Sequence, residues 1–416
     1  MIIDSIQPVV ADTPPSPLGG WSETAETLTG ALVVPPVASG FQQKTGVLRA
    51  DGSYCATGAL WRRHRPVTLA PDPVAPAADG QIGEALAGRW IWGGLLWGHF
   101  GHFLAESTAR LWILDALEQA GGPVDGVVFV PKRPRNGERI RGYQQDFFRL
   151  MGLDIPIRVV NAPTRVETLV VPGQGFGLGE ISAGTAPVRA QFATRFAPDI
   201  APDGPEKLYV SRSRLGYAKG SILGETVVEA RLAEAGYEIF HPQAHPMEVQ
   251  VARYRAARQV VATDGSALHL LAMAQPKDQT LAIIARRKST AVDLLVRHVA
   301  SFTQADPLVV DALRRSWFPE GRKPNPRLAL GELELAELGR QLQAAGFIAD
   351  AGAWTNMTPE EVQAALETTG QRWQLKPWQK RQEAKRRRQA ARGDESARTG
   401  PEPLADPEPV PETGAA

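Results

Sequence analysis

The 416-residue sequence holds a single cysteine, Cys55. One thiol cannot close a disulfide within the chain, and a zinc site built on several cysteines is excluded with it. A reducing compartment such as a cytoplasm suits this usage. Long apolar runs are also missing: none approaches the ~20 residues that span a bilayer. The opening stretch "MIIDSIQPVVADTPPSPLGG" lacks a basic region followed by a long apolar one, so no secretory signal is expected. A net excess of charge is absent too, at +1 overall. The chain as a whole is therefore not a polyanion binder, and no nucleic-acid partner is expected. What is present is ample apolar material, 43% of residues, enough for packed cores in two or three domains. Ten tryptophans are many, and several cluster between Trp90 and Trp112.

Residues 1–80 are rich in Pro and Gly, with short β-like runs such as "ALVVPPV"; irregular structure and edge strands are expected there. The stretch "GRWIWGGLLWGHFGHFLAESTARLWILDAL" starts as a strand and turns helical by about His99. "DGVVFVP" reads as a buried strand, "GYQQDFFRLMGL" as a helix ending at Gly152, and "IRVVNAP" and "ETLVVPG" as strands. Strands alternating with helices argue for an α/β layer around a largely parallel sheet. "PVRAQFATRFAPDIAPDGPE" reads as an interdomain linker.

A second cycle begins near Lys207. "KLYVSRS", "YEIF", "RQVVAT" and "TLAIIAR" are strands. Between them lie helices "GETVVEARLAEAG", "PMEVQVARYRAA" with Pro246 at its first position, and "SALHLLAMA". That succession is the pattern of a Rossmann-like half. After about Asp306 the pattern turns helical, with "GELELAELGRQLQAAG" and "TPEEVQAALE"; Thr358 and Glu361 form a capping box. The basic run of 376–392 (Lys376, Lys380, Arg381, Lys385, Arg386, Arg387, Arg388, Arg392) meets only Glu383. Beside Trp373 and Trp378 it suits peripheral association with an anionic membrane surface, with a solvated helix or a segment that binds nucleic acid or another partner as the alternatives. The acidic, Pro-rich end has too few apolar residues to offset ordering entropy and is expected to be disordered. The expected domains are 1–195, 196–305, a helical extension at 306–375 and a tail at 376–416.

Three constellations carry chemistry. His99, His102, Glu106 and Arg110 lie at spacings that share one face of a helix. A His with a carboxylate one turn on can serve as a general base and its orienter. The pair can equally stabilise a helix start in an aromatic core. The spacing matches no standard metal-ligand set, so no metal is expected. Next, Arg212, Arg214 and Lys219 follow a strand at the sheet edge where α/β proteins bind ligands, and Arg forks match phosphate. A solvated basic loop is the plainer reading. Last, Asp264, Gly265, Ser266 and Ala267 join a strand to a helix. Gly lets backbone approach a ligand, Ser can cap, and the following N–H groups can hold a phosphate. An ordinary Asp-Gly turn looks the same.

Together these segments resemble glycosyltransferase family 61. The strand Tyr209-Val210-Ser211-Arg212, the helix start Gly224-Glu225, Gln250 and the turn Val260–Leu268 match the family's C-terminal half. His102-Phe103-Leu104-Ala105-Glu106 matches its "H-[WF]-L-x-E" helix start. Order and spacing agree over roughly residues 90–285. The resemblance implies an α/β GT-B-like architecture of two Rossmann-like domains facing a cleft. It also implies metal-independent, inverting sugar transfer from a nucleotide-sugar donor to a glycan acceptor, with no further cofactor, in cytoplasmic polysaccharide biosynthesis. His102 would be the base and Glu106 its orienter. Arg212, Arg214, Lys219, Glu225, Asp264, Gly265, Ser266 and Ala267 would line the donor site. One departure stands out: the family's frequent His before the turn glycine is Asp264, a carboxylate that would repel a diphosphate. It motivates a second expectation, a protein of the same fold that binds a nucleotide or glycan without transfer.

Overall fold

The structure, a computed structural model, describes residues 20–63, 65–73, 85–134, 139–276 and 278–376, with residues 15 and 379. Almost all of the expected basic and acidic tail lies outside the described residues. Among the described residues no helix is long and apolar enough to cross a membrane.

The first half opens on strand β1 (Ala25–Val34). Short strands follow: β2 (Gln43–Lys44), β3 (Gly46–Leu48), β4 (Trp61–Arg62), β5 (Arg65–Pro66) and β6 (Thr68–Leu69). After β7 (Leu86–Leu96), one helical turn, α1 (Phe100–His102), widens into a π-turn at Phe103–Ser107. Then come α2 (Leu114–Gln119), β8 (Gly126–Pro131), α3 (Gly142–Leu150), β9 (Ile157–Val159), β10 (Thr164–Pro172) and α4 (Ala186–Arg195). The main sheet runs β3-β1-β10-β7-β8-β9. Its last four strands are mutually parallel, and β1 is antiparallel to β10. β8 shows why a parallel strand reads as a continuous apolar run. Val127 and Phe129 enter one core and Val128 and Val130 another, so both faces are covered.

The second half contains β11 (Lys207–Val210), β12 (Ser221–Ile222), α5 (Glu225–Glu234), β13 (Glu238–Phe240), α6 (Met247–Ala256) and β14 (Gln259–Thr263). It continues with α7 (Ala267–Ala274), β15 (Thr280–Ile284), α8 (Ala291–Thr303) and β16 (Leu308–Val310). All pairings in the sheet β13-β11-β14-β15-β16 are parallel. The strand order reverses between β11 and β14, which opens a crevice at their C-terminal ends. In the first sheet the same reversal falls between β7 and β10.

Several expectations change. Residues 306–375 are more than a helical extension. Besides α9 (Leu335–Ala344) and α10 (Pro359–Glu367), they supply β16 as an edge strand, then β17 (Leu313–Pro319), β18 (Leu330–Leu333) and β19 (Trp373–Gln374). The last three join β12 in a second sheet ordered β12-β18-β17-β19, so this segment completes the second half. β1 is an interior strand rather than an edge one. The expected linker begins with α4, whose Val188, Gln191 and Phe192 are buried. Pro246 caps α6 instead of occupying its first turn. The capping box of Thr358 and Glu361 is present. The halves do not merely face each other: one apolar core runs from Phe103, Phe147 and Phe192 to Leu208, Tyr254, Leu271 and Phe302.

Candidate functional site

At the C-terminal end of β7 the chain leaves the sheet through Trp97 and Gly98 and enters α1. His102 stacks on Trp97 at 4.6 Å between centroids. Its Nδ1 lies 2.9 Å from Glu106 Oε2, the expected pairing across one turn. Glu106, however, is shared. Arg62, from β4, grips both of its oxygens, with Nη2 donating to Oε2 at 2.6 Å and Nε donating to Oε1. Arg62 Nη2 also stands 3.1 Å from His102 Nδ1, and its guanidinium lies over Trp97 at 4.5 Å. Burial alone would push the Glu106 carboxyl up, but the hydrogen bonds from Arg62 and His102 hold it below the usual range. A guanidinium can only donate, and the shorter contact is to the charged oxygen, so Nδ1–H is assigned to Glu106. His102 Nε2 is then left as a lone pair. The Glu106–Arg62 unit is electrically balanced, so Glu106 orients the ring more than it stabilises an imidazolium.

Arg110 does not continue this face. The π-turn ends at Ser107, and Arg110 is buried, donating to the carbonyls of Thr57, Ala59 and Pro172. It ties the helix start to the first sheet.

Across from α1 stands the reversal point of the second sheet. Arg212 follows β11, and its Nη2 donates to the carbonyls of Lys219 and Gly220 at 3.3 and 3.2 Å. The turn after β14 lies against it: a Cβ on Gly265 would come within 2.5 Å of Arg212 Nη1. Only glycine admits that approach. Ser266 occupies the cap position of α7, but its hydroxyl makes no cap bond. Among the described residues the backbone N–H groups of Gly265, Ser266 and Ala267 have no backbone or side-chain acceptor. Three adjacent unpaired donors beside a guanidinium have the chemistry to hold an anion.

The two constellations meet. A Cβ on Gly101 would stand 2.8 Å from Ser266 Cβ, so the glycine lets α1 pack directly against the Ser266 side chain of the turn. The expected residues are not all brought to this junction. Glu225 is 3% exposed and faces inward. It accepts from Tyr209, Thr263 and the Arg212 N–H at 3.0, 2.9 and 2.9 Å, and from Ser221 at 2.5 Å. It holds the ends of β11, β12 and β14 together and does not line the site. Asp264 is fully buried, and its carboxylate lies 3.2 Å from Arg286 Nε and 3.3 Å from Arg287 Nε. It neither caps α7 nor presents a bare charge to a ligand, because two cations answer it. Lys219 is exposed and close enough to His99 to act on it, whereas Arg214 acts on His241.

Sequence reasoning missed Arg62, Arg286, Arg287 and Arg327. Arg286 and Arg287 directly follow β15, so the logic applied to Arg212 would have found them. Arg62 and Arg327 come from distant segments and have no local signal. Arg327 feels Arg287, Arg133 and Arg62, and His99 feels Arg327, Lys219 and Arg212. The junction is thus strongly cationic. Cavities of about 560 Å³, beside Tyr217 and Leu328, and about 650 Å³, beside α3, are lined by neither His102 nor the turn. Among the described residues no group of three or more His, Cys, Asp and Glu side chains is placed to hold a metal ion.

Burial pulls His99 from the ordinary 6.5 to about 4, helped by Arg327 and its own neighbour His102. Burial does the same to His269, also to about 4. Both stay neutral in the folded chain while their unfolded counterparts protonate near ~6.5. As pH falls from 6.5 toward 4, the unfolded state takes up protons that the folded state refuses, so stability falls through that window. Above 6.5 these groups contribute no pH dependence. Burial holds His298 and His241 below their ordinary range as well, so urea melts across this range are expected to show midpoints that drop on acidification with an uptake of more than two protons; a flat profile would contradict the placement of these rings.

No curated protein matches the chain. Residues 100–281, from the start of α1 into β15, match the family model Glycosyltransferase 61. That span carries His102, Glu106, Arg212 and the 264–267 turn in one segment, and over it the match supports a family 61 glycosyltransferase.

Proposed function

We propose that this glycosyltransferase moves a sugar from a nucleotide-sugar donor to a glycan acceptor, in surface polysaccharide biosynthesis. The observation that carries the reading is the meeting of the three unpaired amides at Gly265–Ala267 with Arg212 on one side and the His102 turn on the other. The amides and Arg212 receive the donor diphosphate, with Lys219, Arg286, Arg287 and Arg327 offsetting its charge. The acceptor lies on the His102 side. His102 Nε2 takes the acceptor hydroxyl proton as the oxygen attacks the anomeric carbon. The bond from that carbon to the diphosphate breaks, and its electron pair leaves with the nucleoside diphosphate. Attack opposite the leaving group inverts the anomeric centre. The cations perform the leaving-group stabilisation for which other transferases recruit a metal. The two doubly wound halves support a GT-B-like arrangement, with the qualification that they share a core.

The alternative of binding without transfer rested on the Asp264 carboxylate. Its pairing with Arg286 and Arg287 removes that ground. Release of nucleoside diphosphate from a panel of nucleotide sugars decides between them. Turnover of at least one donor is expected. Arg212→Ala should raise KM about ten- to a hundredfold, the loss of a charge-assisted contact. Tight binding with no release from any donor, with acceptor present, would favour the binding protein.

Peripheral attachment at the cytoplasmic face of a membrane is a separate proposal, resting on the basic run of 376–392. Deleting residues 376–416 should abolish low-salt co-sedimentation with anionic vesicles and leave donor turnover intact. Equal sedimentation of both proteins would remove the proposal.

A further inference from the structure

Deep to the junction lies a pair of histidines that the reading above does not use. His269, in the first turn of α7, places Nδ1 2.9 Å from Nδ1 of His298 in α8. His298 is fully buried, packed against Phe176 and Phe302 at 4.5 Å each. Its Nε2 is buried with no partner. His269 is different: its Nε2 has no partner among the described residues and is not among the buried atoms. The same edge of the ring faces α1, since Cδ2 lies 3.6 Å from where a Cβ on Gly101 would be.

The arrangement fixes where the protons are. Burial keeps both rings neutral, pushing His298 well below its ordinary range and His269 to about 4. Two neutral imidazoles sharing one Nδ1···Nδ1 contact need one donor and one acceptor. Were His269 the donor, His298 would carry its proton on Nε2, as a buried N–H with no acceptor. Unsatisfied buried donors are the rarer and costlier case. With His298 as donor, only a bare ring lone pair is left buried. His269 Nδ1 then accepts, and its proton sits on Nε2.

We infer that His298 is a positioning residue that locks His269 in the Nε2–H tautomer, and that His269 donates this hydrogen bond to a phosphate oxygen of the nucleoside diphosphate held at the Gly265–Ala267 turn. This rests on the proposed function and adds a donor to it from outside the quoted family motifs. His269 is one residue past Leu268, where the matched turn ends. A neutral ring serves here because it keeps its N–H at any working pH, whereas a guanidinium would add charge beside His102.

The test has two arms. In the unliganded protein, ¹⁵N NMR of histidine-labelled chain separates the tautomers, with His269→Gln identifying the resonance among seven histidines. A protonated Nε2 and a bare Nδ1 are expected, and His298→Phe should mix the two tautomers while retaining the ring contact with Phe176. Calorimetry then uses inorganic pyrophosphate and UDP and GDP as probes. His269→Ala should weaken the tightest of these about ten- to a hundredfold, as for a bond to a charged oxygen. His269→Gln, whose amide places an N–H where Nε2–H lies, should restore most of the affinity. A bare Nε2 in the wild type overturns the inference, as does unchanged binding in His269→Ala. Both leave the proposed function standing. Failure of the wild type to bind any probe overturns both together.

Discussion

Replacing His102 by alanine is expected to lower kcat by roughly 10²–10⁴-fold, the usual contribution of a positioned base, while donor affinity stays near wild type. The separation follows from the architecture. His102 belongs to the turn after β7, and the proposed diphosphate receptor belongs to the turn after β14. They touch through Gly101 and Ser266 without sharing a hydrogen bond. The supporting pair behaves less simply than an isolated His–Glu dyad. Glu106→Gln leaves Arg62, which is 15% exposed at its side chain, without its counter-charge. That variant should therefore lose stability as well as turnover. Arg62→Ala leaves the buried Glu106 without its cation, held only by the His102 N–H, and breaking a buried ion pair typically costs about 3–5 kcal/mol. Turnover per folded molecule, measured beside urea melts, separates the effects. A His102→Ala protein that transfers at the wild-type rate would place the base elsewhere, and His99 would be the next candidate.

The second large effect is structural. Glu225→Ala should cost at least ~3 kcal/mol, since several donors lose their acceptor inside the fold and each orphan is worth ~1–3 kcal/mol. The groups that lose it would be the Ser221 hydroxyl, the Arg212 amide and the Tyr209 and Thr263 hydroxyls, the last two keeping only their 3.0 Å contact with each other. Because Arg212 N–H is among them, nucleotide affinity should fall in the fraction that remains folded. Glu225→Gln keeps one carbonyl acceptor and should recover much of the stability. Denaturant midpoints decide it. An alanine variant as stable as wild type would mean that the hydroxyls find other partners.

Much of this architecture was legible in the sequence because parallel strands and amphipathic helices leave strong local patterns. The run from Lys207 to Ile284 is an example: apart from the two-residue β12, which left no signal, each strand is a short block with an apolar centre and each helix is bracketed by its own start signal. β16 was not legible. Leu308–Val310 is three residues long, and only pairing with β15 makes it a strand. The π-turn at Phe103–Ser107 was invisible for a related reason. A helix pattern continues through it, yet the turn ends the face and sends Arg110 into the first sheet. In the site, His102, Glu106, Arg212 and the 265–267 turn were found through local spacing. Glu225 and Asp264 were read as ligand-facing because spacing cannot report burial. Arg62 joins Glu106 across 44 positions, a contact that no window along the chain reveals.

The most direct measurement is isothermal titration of the purified full chain with a panel of nucleoside diphosphates in the presence of EDTA, repeated with Arg212→Ala. The account predicts that at least one diphosphate binds without added metal, that the corresponding nucleoside binds far more weakly, and that Arg212→Ala loses about ten- to a hundredfold in affinity. Absence of binding by every diphosphate, or binding indifferent to Arg212, would contradict it.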